Sequence, residues 1–416
     1  MAIVAGRWIP QSATADARVL LTTRSLRGFA DGAVSVLLPS YLIAIGFSAA
    51  QVGAIVFSTL LGSAALTLAV GLLSHRVGRK RLLLGTCILM CATGIGFAAS
   101  RNFWALFFIA VAGTLNPSAG DVSIFLPIEQ AALTETVEAR DFTVIFALYN
   151  VGGSFAGALG ALASGLPLTL ASRFGWTTVE AQRSGFFAYS AIAILAALLY
   201  LSLSAAVEAD PMPASARPLA KSRTVVLKLS ALFSIDAFGG GFVVQSLLAL
   251  WLFRRFGLSV QAAGTFFFAT GLLGAMSQFL SSSLAARIGR INTMVFTHVP
   301  ANLFLMLAAL MPTAPLALGC LLLRASMSSM DVPARQSYVM AVVPPEERAA
   351  AASVTNVPRS LASAFAPLPS GLLLDYSLFG WPLLIGGGLK VLYDVLLLMQ
   401  FRAVRPSDEQ SSLASD

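Results

Sequence analysis

Long apolar stretches alternate with short charged ones along the whole chain, and this alternation sets its elements. Runs without any Asp, Glu, Lys or Arg extend over residues 32–75, 82–100, 102–120, 142–172, 184–207, 256–286 and 291–323. A helix of about 20 apolar residues crosses the hydrocarbon core of a bilayer, so the longest runs hold two spans or an overlong one. Breaking them at Gly46 to Gln51, Arg173 to Arg183, Leu258 to Gln261 and Pro312 to Pro315 predicts spans near 27–47, 51–73, 82–100, 103–131, 142–170 and 185–207. The second half gives 230–253, 260–284, 292–311, 315–342, 349–374 and 381–401. The runs are continuous instead of alternating in polarity, which is the pattern of helices and not of barrel strands. A helix also satisfies its own backbone in lipid. The chain therefore reads as an all-α integral membrane protein with twelve transmembrane helices.

The two sets of six spans repeat one another. Pro127, Gln130, Asn150, Val151 and Gly165 reappear as Pro333, Gln336, Asn356, Val357 and Gly371, every pair 206 residues apart. Ser48, Gly53 and the Gly78-Arg79 step reappear as Ser259, Gly264 and Gly289-Arg290 at a spacing of 211. A fixed spacing shared by many positions marks tandem copies of one unit, with indels in loops shifting the register. The expected organisation is two pseudo-symmetric six-helix bundles, residues 1–207 and 229–416. A linker over 208–228, with Pro211, Pro213 and Pro218 among small and basic residues, joins them, and its composition predicts mobility.

Composition agrees: 57% of the residues are hydrophobic, 11% are charged, and the mean hydropathy is +0.81, outside the range of soluble domains. With the N-terminus in the cytoplasm, most of the 27 basic residues, among them Arg76, Arg79, Lys80 and Arg81, fall on the cytoplasmic side. The positive-inside rule then places both termini in the cytoplasm and the protein in the cytoplasmic membrane as a multi-pass protein. Trp104, Trp251 and Trp381 come to the outer ends of spans, as an aromatic belt requires. The net charge of +8 points to anionic lipid on the inner leaflet; no basic and aromatic module for a nucleic acid is visible. The first 16 residues are too mixed in polarity for a signal peptide, so the first span serves as the insertion signal. Cys87, Cys91 and Cys320 make no disulfide framework and read as small packing residues. No metal or cofactor is expected.

Gly71-Leu-Leu-Ser-His75-Arg76-Val-Gly78-Arg79-Lys80-Arg81, between spans two and three, resembles the signature loop of the major facilitator superfamily, G-x-x-x-D-R-x-G-R-K/R-x. His75 stands where that family carries an acid. The second copy, Ala286 to Arg290, lacks the acid too. Arg324 resembles the arginine of a second family motif, and Gly152, Gly153, Gly157 and Gly160 resemble a glycine-rich antiporter motif without its proline. Those glycines have a simpler reading as well, because Gly153 and Gly157 four apart let helices approach closely. The resemblance implies the major facilitator fold, a monomer, and transport of a small molecule by alternating access, closest in character to the twelve-span drug and proton antiporters. It also implies that the loop from Gly71 to Arg81 biases the conformation, its basic groups reaching acids or helix C-termini in one state.

Ionisable groups inside the spans carry what functional information remains. Each costs roughly 2.5 to 3.5 kcal/mol at a helix centre on insertion scales, so Asp31, Asp121, Glu129, Asp236, Arg324, Asp331, Arg335, Arg359, Lys390 and Asp394 must face protein, water or one another. Seven of the ten fall on spans one, four, seven and ten, which line the central cavity in the resembled family. Asp31 and Asp121 are read as having no basic neighbour one turn away, and so are expected to take up and release the coupling proton. Asp236, Arg324, Asp331 and Arg359 are expected to line the cavity or touch substrate. Arg324, Asp331 and Arg335, spaced seven and four, share one helical face. Glu129 and Arg335 hold equivalent repeat positions with opposite charge, which suggests a gate. Lys390 and Asp394, one turn apart, are expected to form a static pair. The leading functional reading is proton-coupled efflux of a small organic compound. The alternative is a carrier of a small anionic metabolite or metalloid anion, bound by Arg324, Arg335 and Arg359. A sensor or scaffold without transport is the third reading. An enzyme is not expected, since His75 and His298 are the two histidines and no nucleophile, base and orienter cluster is readable.

Overall fold

The computed structural model describes residues 10–73, 77–118, 123–208, 222–344 and 347–402. His75, Arg76, Asp121 and the linker residues 209–221 lie outside them. Among the described residues the structure is helical, with seventeen α-helices and two short 3-10 turns. These are α1 (Ala15–Ala44), α2 (Ala49–Leu73), α3 (Arg79–Ala99), α4 (Phe103–Ala112), α5 (Phe125–Leu133), α6 (Phe142–Ala163), α7 (Leu166–Phe174) and α8 (Thr178–Leu201). The second half holds α9 (Arg223–Gly241), α10 (Gln245–Phe256), α11 (Val260–Ile288), α12 (Arg290–Leu310), α13 (Ala314–Ser328), α14 (Asp331–Val342), α15 (Arg348–Phe365), α16 (Pro367–Tyr376) and α17 (Trp381–Phe401). Eight stretches are long and apolar enough to cross a membrane.

Seventeen helices occupy the twelve expected spans because five spans are each two helices: α4 with α5, α6 with α7, α9 with α10, α13 with α14, and α15 with α16. The interruptions follow local chemistry. The backbone turns extended at Gly113, shortly before Pro117, and α16 begins on Pro367 while α7 carries Pro167 in its first turn. Proline lacks the N–H that would continue the preceding helix but fits a helix start. The expected helical face through Arg324, Asp331 and Arg335 is cut at Ser329 and Met330, so Arg324 ends up on a different helix from the other two. Span one also starts earlier than its hydropathy suggests. Its helix begins at Ala15 and carries Arg24 and Arg27 into the buried interior.

The chain divides into two compact units, residues 1–46 with 58–212, and residues 213–416 with 47–57. In the first, α1 packs along α6 and α8, and α3 along α8. In the second the corresponding elements pair in the same way, α9 along α15 and α17, and α12 along α17. Glycine sets the closest approach in the first unit. A Cβ on Gly32 would overlap the carbonyl of Gly157, and one on Gly28 would meet that of Gly153 at 2.5 Å, so the spacing of Gly153 and Gly157 is helix packing. Residues 47–57 join the second unit through the Ala49 N–H, which donates to Asp375. Trp251 departs from the aromatic-belt expectation: it is buried, with its ring 5.4 Å from that of Phe256. Trp104 and Trp381 are exposed.

Candidate functional site

Each unit holds a cluster of buried charges. In the first, Glu129 on α5 is wholly buried and receives four donors: Arg27 Nη2, the Tyr149 and Tyr200 hydroxyls, and the Thr23 hydroxyl at 3.1 Å. A carboxylate offers about four lone-pair positions, so this one is saturated. The Arg27 guanidinium also lies 4.0 Å over the Phe125 ring. Arg24, one turn earlier, faces the Tyr149 ring at 5.3 Å, and its Nε and Nη1 are buried without a hydrogen-bond partner. The bare backbone of Gly153 leaves room for that guanidinium.

Asp31, on the same face of α1, is 4% exposed. Among the described residues it makes no ion pair. Arg27 lies four residues before it and Arg24 seven, so the expectation that Asp31 has no basic neighbour one turn away fails. Both act on it electrostatically, yet the Arg27 guanidinium is engaged by Glu129. Its hydrogen-bonding neighbour is Asn116, whose side chain is buried beside it. Asn116 belongs to the interruption between α4 and α5, where Thr114 and Leu115 are buried as well. Irregular backbone at membrane depth is tolerated where it is enclosed by protein or lines a cavity, and broken helices of this kind form binding sites in transporters.

The second unit builds its cluster on Asp236 of α9. Lys390 Nζ of α17 donates to it at 2.6 Å, and Arg335 Nη1 of α14 donates to it and to Asp331, both at 3.2 Å. Lys390 reaches Asp236 because Gly239 and Gly386 bring α9 and α17 together. Lys390 therefore does not pair with Asp394. Asp394 instead faces His298 of α12, whose Nδ1 lies 3.0 and 3.1 Å from its two oxygens. The Arg335 guanidinium also sits 5.6 Å over Phe233.

The structure thus brings Asp236, Asp331 and Arg335 together. Arg324 has a buried Nε without a hydrogen-bond partner and acts on Asp236 from a distance, as does Arg359. Glu129 and Arg335, expected as a gate, have the contacts given above within their own units. Arg27, Tyr149, Tyr200 and His298 were missed as members of these clusters. The one sequence signal for Arg27 was its position on the helical face that runs from Leu20 through Arg24 to Asp31.

In the loop between α2 and α3, Gly71 lies in the last turns of α2 and Arg81 is exposed. Glu208 accepts from the backbone N–H groups of Arg79 and Lys80 at 2.7 and 2.9 Å, an anion on the N-terminus of α3. Gly78 makes room, since a Cβ there would sit 2.5 Å from that carboxylate. Arg79 Nη1 donates to Val207 O at 3.0 Å and lies 3.6 Å from Glu135.

Comparison with known proteins places this arrangement. The profile of the Major Facilitator Superfamily matches residues 20–367. An uncharacterized membrane protein of Saccharomyces cerevisiae (strain ATCC 204508 / S288c) is 26% identical over 429 residues, covering 94% of this chain and 95% of that protein. The crystal structure of the nucleoside transporter NupG superposes with a TM-score of 0.73 at 15% identity, covering 94% of this chain and 100% of that one. The xylose transporter XylE from E. coli, in an inward open conformation, gives 0.74 at 14% identity over 95% of this chain and 99% of its own. At these identities the two structures speak for the fold.

Proposed function

The chain belongs to the Major Facilitator Superfamily and is a secondary transporter working by alternating access, and we propose that it exchanges a small organic compound for protons, with Asp31 as a proton carrier. One observation carries this reading. Glu129, Asp236, Asp331 and Asp394 each contact a basic side chain, whereas Asp31, equally buried, contacts none among the described residues. A buried carboxylate without a counter-ion is relieved of its charge by binding a proton. Its neighbour Asn116 sits in broken helix, the place where transporters of this architecture bind their cargo. The efflux direction follows the resemblance to drug antiporters, which carry an acid in the first span. The distribution of Lys and Arg supports a cytoplasmic membrane location with both ends inside.

Purified protein in liposomes with an imposed pH gradient tests this, screened with cationic, neutral and anionic small compounds. Asp31→Asn keeps the side-chain volume and cannot titrate, so proton-driven accumulation should fall at least tenfold while insertion and folding persist. Asp121→Asn is the second arm, as its position also reads as a coupling acid. Accumulation unchanged in Asp31→Asn overturns the assignment. A second reading, carriage of a small anion, is favoured by the unpartnered guanidinium nitrogens of Arg24 and Arg324. Anion exchange indifferent to the pH gradient is its mark.

A further inference from the structure

His298 stands in the interior of the second unit, 3% exposed, with a carboxylate on either side. Its Nδ1 meets both oxygens of Asp394, and its Nε2 lies 3.8 Å from Asp236 Oδ1. Asp394 is wholly buried, and its other polar partner is Asn302 Nδ2 at 3.4 Å. Lys390, one turn away on α17, gives its ammonium to Asp236 instead. The imidazole is thus the only basic group in contact with Asp394 among the described residues.

The charges around the ring come from every helix packed on it. Asp236 is on α9, Lys390 and Asp394 on α17 together with Tyr393, whose ring lies 6.1 Å from the imidazole. Arg335 and Asp331 of α14 form the next contact outward. Arg324 on α13 and Arg359 on α15 reach Asp236 only at longer range. Among the contacts given above between described residues, three carboxylates (Asp236, Asp331 and Asp394) meet two permanent cations, Lys390 and Arg335. One proton on His298 makes the count three to three. Without it a wholly buried carboxylate has no compensating charge, the situation that buried ion pairs exist to avoid.

We propose that His298 and Asp394 together hold one exchangeable proton, making a second proton-binding site in the transporter, on spans nine and twelve and apart from Asp31. Imidazole is the side chain that gains and loses a proton near neutral pH, and a proton shared by two groups belongs to the pair and not to either residue. The site stands on the geometry of the second unit; its use in driving transport rests on the proton-exchange reading given above.

The two histidines of this chain, His75 and His298, make the proton directly observable. His75→Gln protein, labelled with isotopic histidine and held in lipid nanodiscs, gives a single imidazole, and its ring-nitrogen NMR shifts report whether one or both nitrogens carry hydrogen. With the proton on the ring both nitrogens carry hydrogen, and adding Asp394→Asn should convert the ring to its neutral form at the same pH. A neutral ring beside an ionised Asp394, the latter read from the carboxyl carbon shifts of protein labelled with isotopic aspartate, overturns the proposal, and this measurement needs no change in the core. A ring equally protonated with and without Asp394→Asn also overturns it, since the proton then does not depend on the pair. In liposomes His298→Gln should lose proton-driven accumulation of the compounds that the native protein concentrates. If the NMR outcome holds while native transport ignores the pH gradient, the proton site stands and the proton-exchange reading falls.

Discussion

Glu129 and Asp31, on two helices that touch, differ by what reaches them. Glu129 has four donors, one of them a guanidinium, and in that setting removing one partner is costly, because the remaining charge stays buried. Glu129→Gln should destabilise the protein by about 3 to 5 kcal/mol, the range found when one member of a buried pair is deleted. The double variant Arg27→Gln with Glu129→Gln removes both charges and leaves the amide oxygen to accept from the tyrosines, so it should recover more than half of that loss. Thermal unfolding in detergent measures both, and the non-additivity of the cycle isolates the pair. A single variant as stable as the native chain, or a strictly additive double, would refute the structural role of this pair. None of the cross-helix partners was legible in the sequence. Hydropathy places a residue in a span, but whether Lys390 turns to Asp394 on its own helix or to Asp236 on another is decided by glycines at the α9 and α17 contact.

Helices were the most legible part of the chain and their ends the least. Twelve spans and the repeat could be read from apolar runs and a fixed spacing, because lipid imposes length and polarity on every span. The five interruptions went unread, since an unwound turn enclosed by protein keeps the same apolar composition as a helix; only Gly113, Pro117, Pro167 and Pro367 hint at them. Close packing is different, because it can be read from glycine spacing and then tested against space. Gly32→Ala puts a methyl group into the carbonyl of Gly157 on α6, and forcing α1 and α6 apart should cost about 1 to 3 kcal/mol, as overpacking does. Gly85 on α3 has nothing within 4 Å of a built Cβ. Gly85→Ala should therefore be neutral or gain up to about 1 kcal/mol from helix propensity. Equal thermal stability of the two variants would show that the α1 and α6 contact yields without strain.

Alternating access moves two bundles about a central site, and it works only if each bundle keeps its shape while it moves. The ion pairs described above lie within single units, so they can persist through such a motion. The loop between α2 and α3 contributes to that persistence in the first unit. Glu208 closes the N-terminus of α3, and Arg79 ties the same turn to Val207 O and to Glu135 beyond the end of α5. Nothing in this set of contacts recognises a substrate. Arg79→Ala removes the tie from three segments at once and leaves the Asp31 and Asn116 region untouched, so the bundle should yield during the rocking step instead of transmitting it. The expected result is a fall in turnover of at least fivefold with KM changed less than twofold, measured in liposomes on a compound the native protein concentrates, with thermal unfolding confirming an intact fold. Arg79→Lys should restore little, because an ammonium cannot reproduce the forked reach of the guanidinium to a carbonyl and a carboxylate. A raised KM at unchanged turnover would place Arg79 in substrate binding, and no change in either would reduce the loop to a topology signal.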